Sequence, residues 1–303
     1  KMKVYKNLNI ENKFKNSVIA IGNFDGIHTG HQKVLKQAKK LAKKNKLKVG
    51  LLSFEPIPRM FFNKNFKNFR INSLEQKNFY LKKNNLDFFI IKKFNKKFSQ
   101  IDYRNFIKEI IFKKLKCKFI FVSKNFKFGK NRSGDVKKLK LFEKQFNYET
   151  LIVPPVKKNK KVLSSTIVRK LISEGRVSEV EGILGRPWSI IGKVNKGMKR
   201  GRTIGFPTCN ISIRDYVLPK LGVYSVKIKG STFFRKGIAN VGYRPTFNGK
   251  KILLEVNIFG LSKNLYNKEL EIFFYNFIRP EKKFKNLNEL KNQINIDIKN
   301  SKK

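Results

Sequence analysis

Both histidines of the chain lie in one glycine-rich stretch of ten residues. The stretch reads Gly22-Asn23-Phe24-Asp25-Gly26-Ile27-His28-Thr29-Gly30-His31. Glycines let a backbone approach a ligand closely, and imidazole rings can donate hydrogen bonds to phosphate oxygens as charge develops. These residue types therefore predict a site for a phosphate-bearing nucleotide, with candidate contacts at Gly22, Phe24, Asp25, Gly26, His28, Gly30 and His31.

The flanking residues predict that this stretch joins a strand to a helix. Residues 17–21 form an apolar run typical of a buried strand, and residues 34–42 repeat apolar side chains at helical spacing. Thr29 and Gln32 have the spacing of a capping box, which predicts that the helix begins at Thr29. Free N–H groups and the helix dipole at such an end favour phosphate.

Two other interpretations of the stretch stay open at this point. His28 and His31 have a spacing found in metal sites, although no third ligand is obvious near them in the sequence. The stretch could also be a structural turn, because short motifs occur by chance. We favour phosphate binding, because the glycines and histidines coincide with a predicted helix start.

Composition limits the class of protein. A chain of 303 residues is long enough for two hydrophobic cores, and a hydrophobic content of 40% with 29 Phe is typical of a globular protein. The sequence has no run of eighteen apolar residues and no apolar leader at its start, and its two cysteines lie far apart. We expect a cytoplasmic protein that does not bind membranes, as a monomer or weak oligomer.

The net charge of +50 would suit a nucleic-acid-binding protein. Basic residues alternate with aromatic ones in residues 61–70, and such a segment could stack on bases. The lysines are nevertheless spread through every segment and do not form one patch. We therefore interpret the charge as compositional drift and expect no specific nucleic-acid partner.

The first part of the chain alternates strands and helices. Apolar runs at 49–54, 88–91, 119–122 and 151–153 predict strands, and helices are expected to begin near Ser73, Asp102 and Asp135. Continuous apolar strands separated by amphipathic helices predict an α/β domain with a parallel sheet covered on both faces. Ligands of such domains bind beyond the carboxyl ends of the strands.

The pattern changes after Trp188 to short strands with alternating polarity. Glycines and prolines separate these strands, which predicts an antiparallel β-barrel, and a late helix is expected at 287–298. We place the boundary near Gly185, which gives domains at 1–185 and 186–303.

Further candidate site residues occur in both parts. Ser164, Ser165 and Thr166 start a predicted helix, and Arg169, one turn later, could pair with phosphate oxygens. Thr208 and Asn210 offer neutral oxygens two residues apart, which suits Mg²⁺ in the presence of nucleotide phosphates. In the barrel part, Glu255 interrupts an apolar strand, and its carboxylate lies either on a solvent face or in a site as a general base.

Taken together, these stretches resemble the family of bacterial bifunctional riboflavin kinase/FMN adenylyltransferases, from about Ser17 to the carboxyl end. The histidine-containing loop and Ser164–Arg169 resemble its nucleotidyltransferase signatures. Residues 205–210, 239–246 and Glu255 resemble its flavokinase signatures. The resemblance implies a Rossmann-like nucleotidyltransferase domain followed by an antiparallel β-barrel kinase domain with a C-terminal helix. It also implies two ATP-dependent steps, riboflavin to FMN and FMN to FAD, with Mg²⁺.

The resemblance implies a role for each candidate residue. Glu255 is the catalytic base of the kinase, with Mg²⁺ on Thr208 and Asn210. In adenylyl transfer, His28, His31 and Arg169 are catalytic. The further nucleotide contacts are Gly205 and the residues of the loop and of Ser164–Thr166, and the flavin contacts are Asn125 and Arg244.

The chain departs from the family pattern at Ile57, Ser123, Cys209 and Asn257, where relatives commonly have His, Gly, Ala and His. None of these changes removes a group assigned to the chemistry. Two rival functions are a cytidylyltransferase or pantetheine-phosphate adenylyltransferase with an unrelated β domain, and an RNA-binding protein on such a scaffold. Residues 205–210 and Glu255 argue against the first rival.

Overall fold

The computed structural model describes residues 2–63, 65–158, 161–195, 205–246, 249–261 and 263–302, with the backbone alone at 158, 161, 244–246 and 249–251. The chain divides into two compact units. The first unit comprises Lys1–Phe66 and Leu74–Ser164, and the second comprises Lys67–Ser73 and Ser165–Lys303. The domain boundary expected near residue 185 stays a prediction.

A six-stranded parallel sheet forms the centre of the first unit, in the order β1-β4-β3-β2-β5-β8. This arrangement confirms the predicted α/β fold. The strands of the unit, which include two short hairpins outside the sheet, are β1 (Lys3–Tyr5), β2 (Val18–Ile21), β3 (Val49–Glu55), β4 (Phe88–Lys93), β5 (Phe119–Ser123), β6 (Lys127–Phe128), β7 (Gly134–Asp135), β8 (Glu149–Val153), β9 (Lys157–Lys158) and β10 (Lys161–Val162).

Helices connect these strands and cover the sheet. They are α1 (Thr29–Lys44), α2 (Pro58–Phe62), α3 (Leu74–Lys83), α4 (Lys96–Ser99), α5 (Tyr103–Asn105), α6 (Val136–Leu141) and α7 (Glu143–Phe146). Asp102 caps α5 by accepting the Asn105 N–H, and this hydrogen bond lowers the pKa of its carboxyl. A π-helix, Phe106–Lys114, continues from α5 and buries Phe106, Ile107, Ile110 and Ile111.

Both faces of the sheet carry a hydrophobic core. Ile19, Ile21 and Leu52 point to one side, where they pack with the π-helix residues, while Val18, Ala20 and Leu51 point to the other and pack with α1. The alternation of side chains along each strand explains this division. Because both faces are buried, the strands consist of continuous apolar residues, as the sequence predicted.

A closed antiparallel barrel forms the second unit, in the order β11-β12-β15-β14-β13-β16, which confirms the predicted barrel. Within the described ranges, no helix combines the length and apolar character needed to cross a bilayer. The elements of this unit are α8 (Ser165–Ser173), α9 (Val177–Leu184), β11 (Trp188–Asn195), β12 (Cys209–Ser212), β13 (Gly222–Lys229), β14 (Phe234–Thr246), β15 (Gly249–Ile258), β16 (Glu269–Arg279) and α10 (Leu287–Ser301).

Residues 67–73, here called the strap, belong to the second unit although they precede α3 in sequence. The Trp188 indole, fully buried, donates its Nε1–H to the carbonyl oxygen of Ile71 at 2.9 Å. Arg70 pairs with Asp215, and the Val217 N–H donates to the carbonyl oxygen of Arg70 at 2.7 Å. A buried indole needs a hydrogen-bond acceptor, and the strap supplies the one that Trp188 uses.

An ion pair fixes the C-terminal helix to the barrel. Asp297 of α10 is buried, and its two carboxylate oxygens accept Nε–H and Nη2–H bonds from Arg279 of β16 at 2.8 to 3.1 Å. Gln293 donates a further hydrogen bond to Asp297 at 3.0 Å. A guanidinium matches a carboxylate through two parallel bonds, so the pair sets the position of the helix.

Replacing Asp297 by Ala should lower the stability of the second unit by about 3 kcal/mol, because a largely buried guanidinium would lose its counter-charge. Thermal unfolding followed by circular dichroism measures the loss. The control is Glu109→Ala, which removes an exposed ion pair with Lys113 and should leave the melting temperature unchanged. Equal effects of the two substitutions would contradict this role of Asp297.

Candidate functional site

The β2–α1 loop, residues 22–28, leaves the sheet at the carboxyl end of β2. Its backbone is left-handed at Phe24 (φ 47°), Gly26 (φ 82°) and Ile27 (φ 41°). A β-branched residue rarely adopts a positive φ, and such strain is found mainly at functional sites. Ile27 is fully buried, so core packing holds the strained conformation in place.

His28 caps α1. Its Nδ1 accepts hydrogen bonds from the Gly30 N–H at 3.1 Å and the His31 N–H at 3.4 Å. Because Nδ1 accepts, Nε2 is the ring nitrogen that carries the proton. The helix begins at Thr29 as predicted, but the capping box was wrong: the Gln32 amide donates instead to the Ile27 carbonyl oxygen at 2.9 Å. Imidazole is not among the usual capping side chains, so the sequence contained no signal for this cap.

Three aromatic rings form a stack at the start of α1. The Phe24 and His31 rings lie 4.6 Å apart, and the His31 and His28 rings lie 3.7 Å apart, with interplanar angles of 29° and 23°. His28 and Asp25 are both buried. The stack fixes the planes of both imidazoles, so their donor directions are set before any ligand arrives.

Side chains from β3 and α3 hold the beginning of the loop. The Asn23 carbonyl oxygen accepts hydrogen bonds from Ser53 Oγ at 3.1 Å and from Lys77 Nζ at 2.9 Å. Neither donor was predicted from the sequence. Ser53 belongs to the apolar run of β3, and Lys77 is one of many lysines, so neither residue stands out in the sequence. The one signal for such a contact was the position of Lys77 on the apolar face of α3.

The hydroxyl-rich segment lies at the start of α8, as predicted, with Ser165 as the first helical residue. Arg169, one turn later, places its guanidinium 3.7 Å from the centre of the Phe69 ring. Its Nε–H donates to the Phe69 carbonyl oxygen at 2.8 Å. Thus the arginine predicted to bind phosphate also contacts the strap.

An aromatic group, which includes the first two residues of the basic and aromatic segment 61–70, lies where β3 and β4 end. Phe61 and Phe62 of α2 pack edge to face with each other and with Phe94, at 5.2 to 5.7 Å between ring centres. Phe62 is 68% exposed. Exposed rings at the carboxyl edge of a parallel sheet are suited to contact a flat aromatic ligand. The predicted flavin contact Asn125 follows β5 and is also exposed.

In the barrel, strand register places Glu255 between two asparagines. Glu255 lies opposite Asn210 of β12 and opposite Asn240 of β14. Its neighbours Leu254 and Val256 are fully buried in the barrel interior, so Glu255 points outward, where it is half-buried. Directly opposed residues share one face, which brings a carboxylate and two amides together.

The residues predicted to hold Mg²⁺ fit that ion. Asn210 is buried, and among the described residues no hydrogen-bond partner reaches its Oδ1. Thr208 precedes β12 by one residue and is exposed. Two neutral oxygens leave most coordination positions of Mg²⁺ to phosphates and water, as is usual for nucleotide sites. No cluster of three or more His, Cys, Asp or Glu side chains suited to a metal occurs in the described ranges.

Asn257, one of the four positions at which the chain departs from the family pattern, has a structural role. It is buried two residues beyond Glu255, and its Nδ2 donates to the Pro207 carbonyl oxygen at 2.8 Å. This bond holds residues 205–208 against the outer face of the barrel. An open cavity of about 550 Å³ lies beside it, lined by Gly205–Pro207, Asn257–Leu261, Ile298 and Lys302. The side chain of Arg244, near the end of β14, lies outside the described part.

Two family models match the sequence. One, described as FAD synthetase, matches residues 10–167, and the other, described as riboflavin kinase, matches residues 184–303. The first match contains the β2–α1 loop and Arg169 lies just beyond it, while the second contains Thr208, Asn210 and Glu255.

Curated relatives match over almost the whole chain and carry the name bifunctional riboflavin kinase/FMN adenylyltransferase. The protein from Buchnera aphidicola subsp. Schizaphis graminum is 41% identical, with 96% of this chain and 94% of the relative covered. The protein from Listeria monocytogenes is 35% identical, with 93% and 90% covered. The Escherichia coli K12 protein is 34% identical, with 92% and 90% covered.

A solved structure is similar over both units. The crystal structure named as a macrolide-efflux protein from Streptococcus pneumoniae has a TM-score of 0.88 to this chain at 29% sequence identity. The match covers 99% of this chain and 98% of that one.

Replacing His28 by Ala should destabilise the first unit by about 1 kcal/mol, because the start of α1 loses its side-chain acceptor. Replacing it by Asn should restore most of this stability, since an amide oxygen can accept the same N–H groups. Urea unfolding followed by far-ultraviolet circular dichroism measures both. His31→Ala is the control that retains the cap, and an Asn variant no more stable than the Ala variant would contradict the capping role.

Proposed function

Because this chain belongs to the family of bifunctional riboflavin kinase/FMN adenylyltransferases, we propose that its two units divide the two activities. The barrel unit phosphorylates riboflavin to FMN with ATP, and the parallel-sheet unit adenylylates FMN to FAD with ATP. The observation that carries this division is the placement of Glu255 between Asn210 and Asn240 in one unit and of the His28–His31 stack in the other.

In the kinase step, Glu255 accepts the proton of the riboflavin 5′-hydroxyl. The hydroxyl oxygen then bonds to the γ-phosphorus of ATP, and ADP leaves with the electrons of the broken P–O bond. The two flanking amides orient the carboxylate and the hydroxyl. Positioning and neutralisation of charge account for most of the rate of such transfers.

Thr208 and Asn210 would hold Mg²⁺, which neutralises phosphate charge when it is bound. The buried, unpartnered Oδ1 of Asn210 supports this proposal among the described residues. Asn257 positions the segment that carries Thr208 through its bond to Pro207. The cavity beside this segment, with Gly205 on its wall, is the place we propose for ATP.

In the adenylyl step, a phosphate oxygen of FMN bonds to the α-phosphorus of ATP, and pyrophosphate leaves. His28 and His31 donate hydrogen bonds to the phosphate oxygens on which charge develops. The amides of the loop and the positive end of α1 add to this stabilisation. We assign Asn125 with the aromatic group around Phe62 to the flavin, while Ser164, Ser165, Thr166 and Arg169 stay predicted contacts of the β- and γ-phosphates. Arg244 stays a predicted flavin contact.

Incubation with riboflavin, ATP and Mg²⁺, followed by chromatographic separation of FMN and FAD, tests both activities. A single-activity nucleotidyltransferase would form no FMN from riboflavin. An RNA-binding protein would form neither product, and its affinity for RNA would survive physiological salt, whereas purely electrostatic binding falls steeply. A cytoplasmic location, a monomeric or weakly oligomeric state and the absence of a specific nucleic-acid partner stay predictions.

Replacing His31 by Ala should lower the rate of FAD formation from supplied FMN by about 10²–10³-fold, because a donor to the developing charge is lost. FMN formation from riboflavin, measured on the same sample, should keep its rate and so serves as the control for folding. A similar loss of both activities would show that the proposed division is wrong.

Replacing Glu255 by Gln should have the reverse effect. Loss of the proton acceptor should slow FMN formation by about 10²–10⁴-fold, whereas FAD formation from supplied FMN should be unchanged. Glutamine keeps the size of the side chain, so the neighbouring Asn210 and Asn240 keep their packing. If the Gln variant retained kinase activity, Glu255 would not be the base.

A further inference from the structure

Lys77 lies on the inner side of α3, where the helical pattern calls for an apolar residue. Leu74, Lys77 and Leu81 are spaced on one face of the helix, and Lys77 is 1% exposed. Among the residues that the structure describes, Lys77 is the only buried lysine of this very basic chain. Burial of an amine is unfavourable unless the group makes hydrogen bonds.

The bonds of Lys77 lead to the loop that carries the adenylyl-transfer residues. Its Nζ lies 2.9 Å from the Asn23 carbonyl oxygen and 3.4 Å from Ser53 Oγ. Ser53 Oγ itself donates to the Asn23 oxygen at 3.1 Å. Two side chains from different elements therefore bind a single carbonyl oxygen, which fixes the peptide plane between Asn23 and Phe24.

That peptide plane determines where the aromatic stack begins. Phe24 follows directly in a left-handed conformation, and its ring lies against His31, which in turn lies against His28. A rotation of the plane would move the Phe24 ring and remove the support of His31. An error of about 1 Å in the position of a catalytic group can reduce a rate about 10²-fold.

We propose that Lys77 is a positioning residue for adenylyl transfer: it holds the Asn23 carbonyl so that Phe24 keeps the His31 and His28 rings in their reactive orientation. The inference rests on the proposed function of this loop. The two bonds of Lys77 described above go to a main-chain oxygen and to Ser53, so the proposed action passes through the backbone of the loop.

A structural role alone makes a different prediction. Methionine is close to lysine in length and fills the same space in the core, and Ser53 Oγ still donates to the Asn23 oxygen in the variant, so the fold should be retained. If Lys77 served only to fill the core, Lys77→Met would therefore keep the activity. If it positions the loop, the variant stays folded and loses turnover.

The experiment compares Lys77→Met with Lys82→Met, which changes an exposed lysine of the same helix. We expect kcat for FAD formation from FMN to fall about 10- to 100-fold in Lys77→Met, with KM for ATP and FMN within about threefold of the wild type. Riboflavin kinase activity should be unchanged, and Lys82→Met should match the wild type throughout.

A second variant, Ser53→Ala, removes the other donor to the Asn23 oxygen and decides the question if Lys77→Met does not fold. Its kcat for FAD formation should fall about threefold or more. The role of Lys77 would be overturned if both variants kept the wild-type kcat. It would also be overturned if Lys77→Met lost kinase activity together with kcat for FAD formation while Ser53→Ala kept both. A wild-type chain that forms no FAD would instead refute the proposed function.

Discussion

Main-chain hydrogen-bond register is the constraint on which both sites depend. In the barrel, the pairing of β12, β15 and β14 places Asn210, Glu255 and Asn240 in one row on the outer face. A slip of one residue would turn the Glu255 carboxylate into the apolar interior, so core packing of Leu254 and Val256 also protects the site. In the first unit, parallel register brings the ends of neighbouring strands to one edge, where the β2–α1 loop begins.

The two units position their reactive side chains by different physical means. Glu255 is part of a regular strand, so its direction follows from the alternation of the sheet. The histidines follow an irregular, strained segment. Its conformation depends on bonds from Ser53 and Lys77 to the Asn23 carbonyl oxygen and from Gln32 of α1 to the Ile27 carbonyl oxygen. Strand geometry is rigid by itself, whereas a strained loop needs side-chain contacts to keep a single conformation.

The sequence was sufficient for the fold, and it also indicated the segments that we propose as sites. Periodicity gave the parallel sheet and the barrel, because both are determined by apolar patterns. It could not identify His28 as a cap, since imidazole is not among the usual capping residues. Nor could it assign Lys77, Ser53 or the Asn257–Pro207 bond, because those contacts join residues that are distant in sequence. The membership of residues 67–73 in the barrel unit left no local signal either, and their basic and aromatic residues had suggested contact with bases instead.

The strap means that the barrel unit is not a continuous length of the gene. A fragment encoding residues 186–303 would leave the Trp188 indole without the Ile71 oxygen and Asp215 without the Arg70 guanidinium. Such a fragment would also lack α8 and α9, which belong to the same compact unit as the barrel. A gene fusion or duplication that transfers the barrel would therefore have to carry this distant heptapeptide with it.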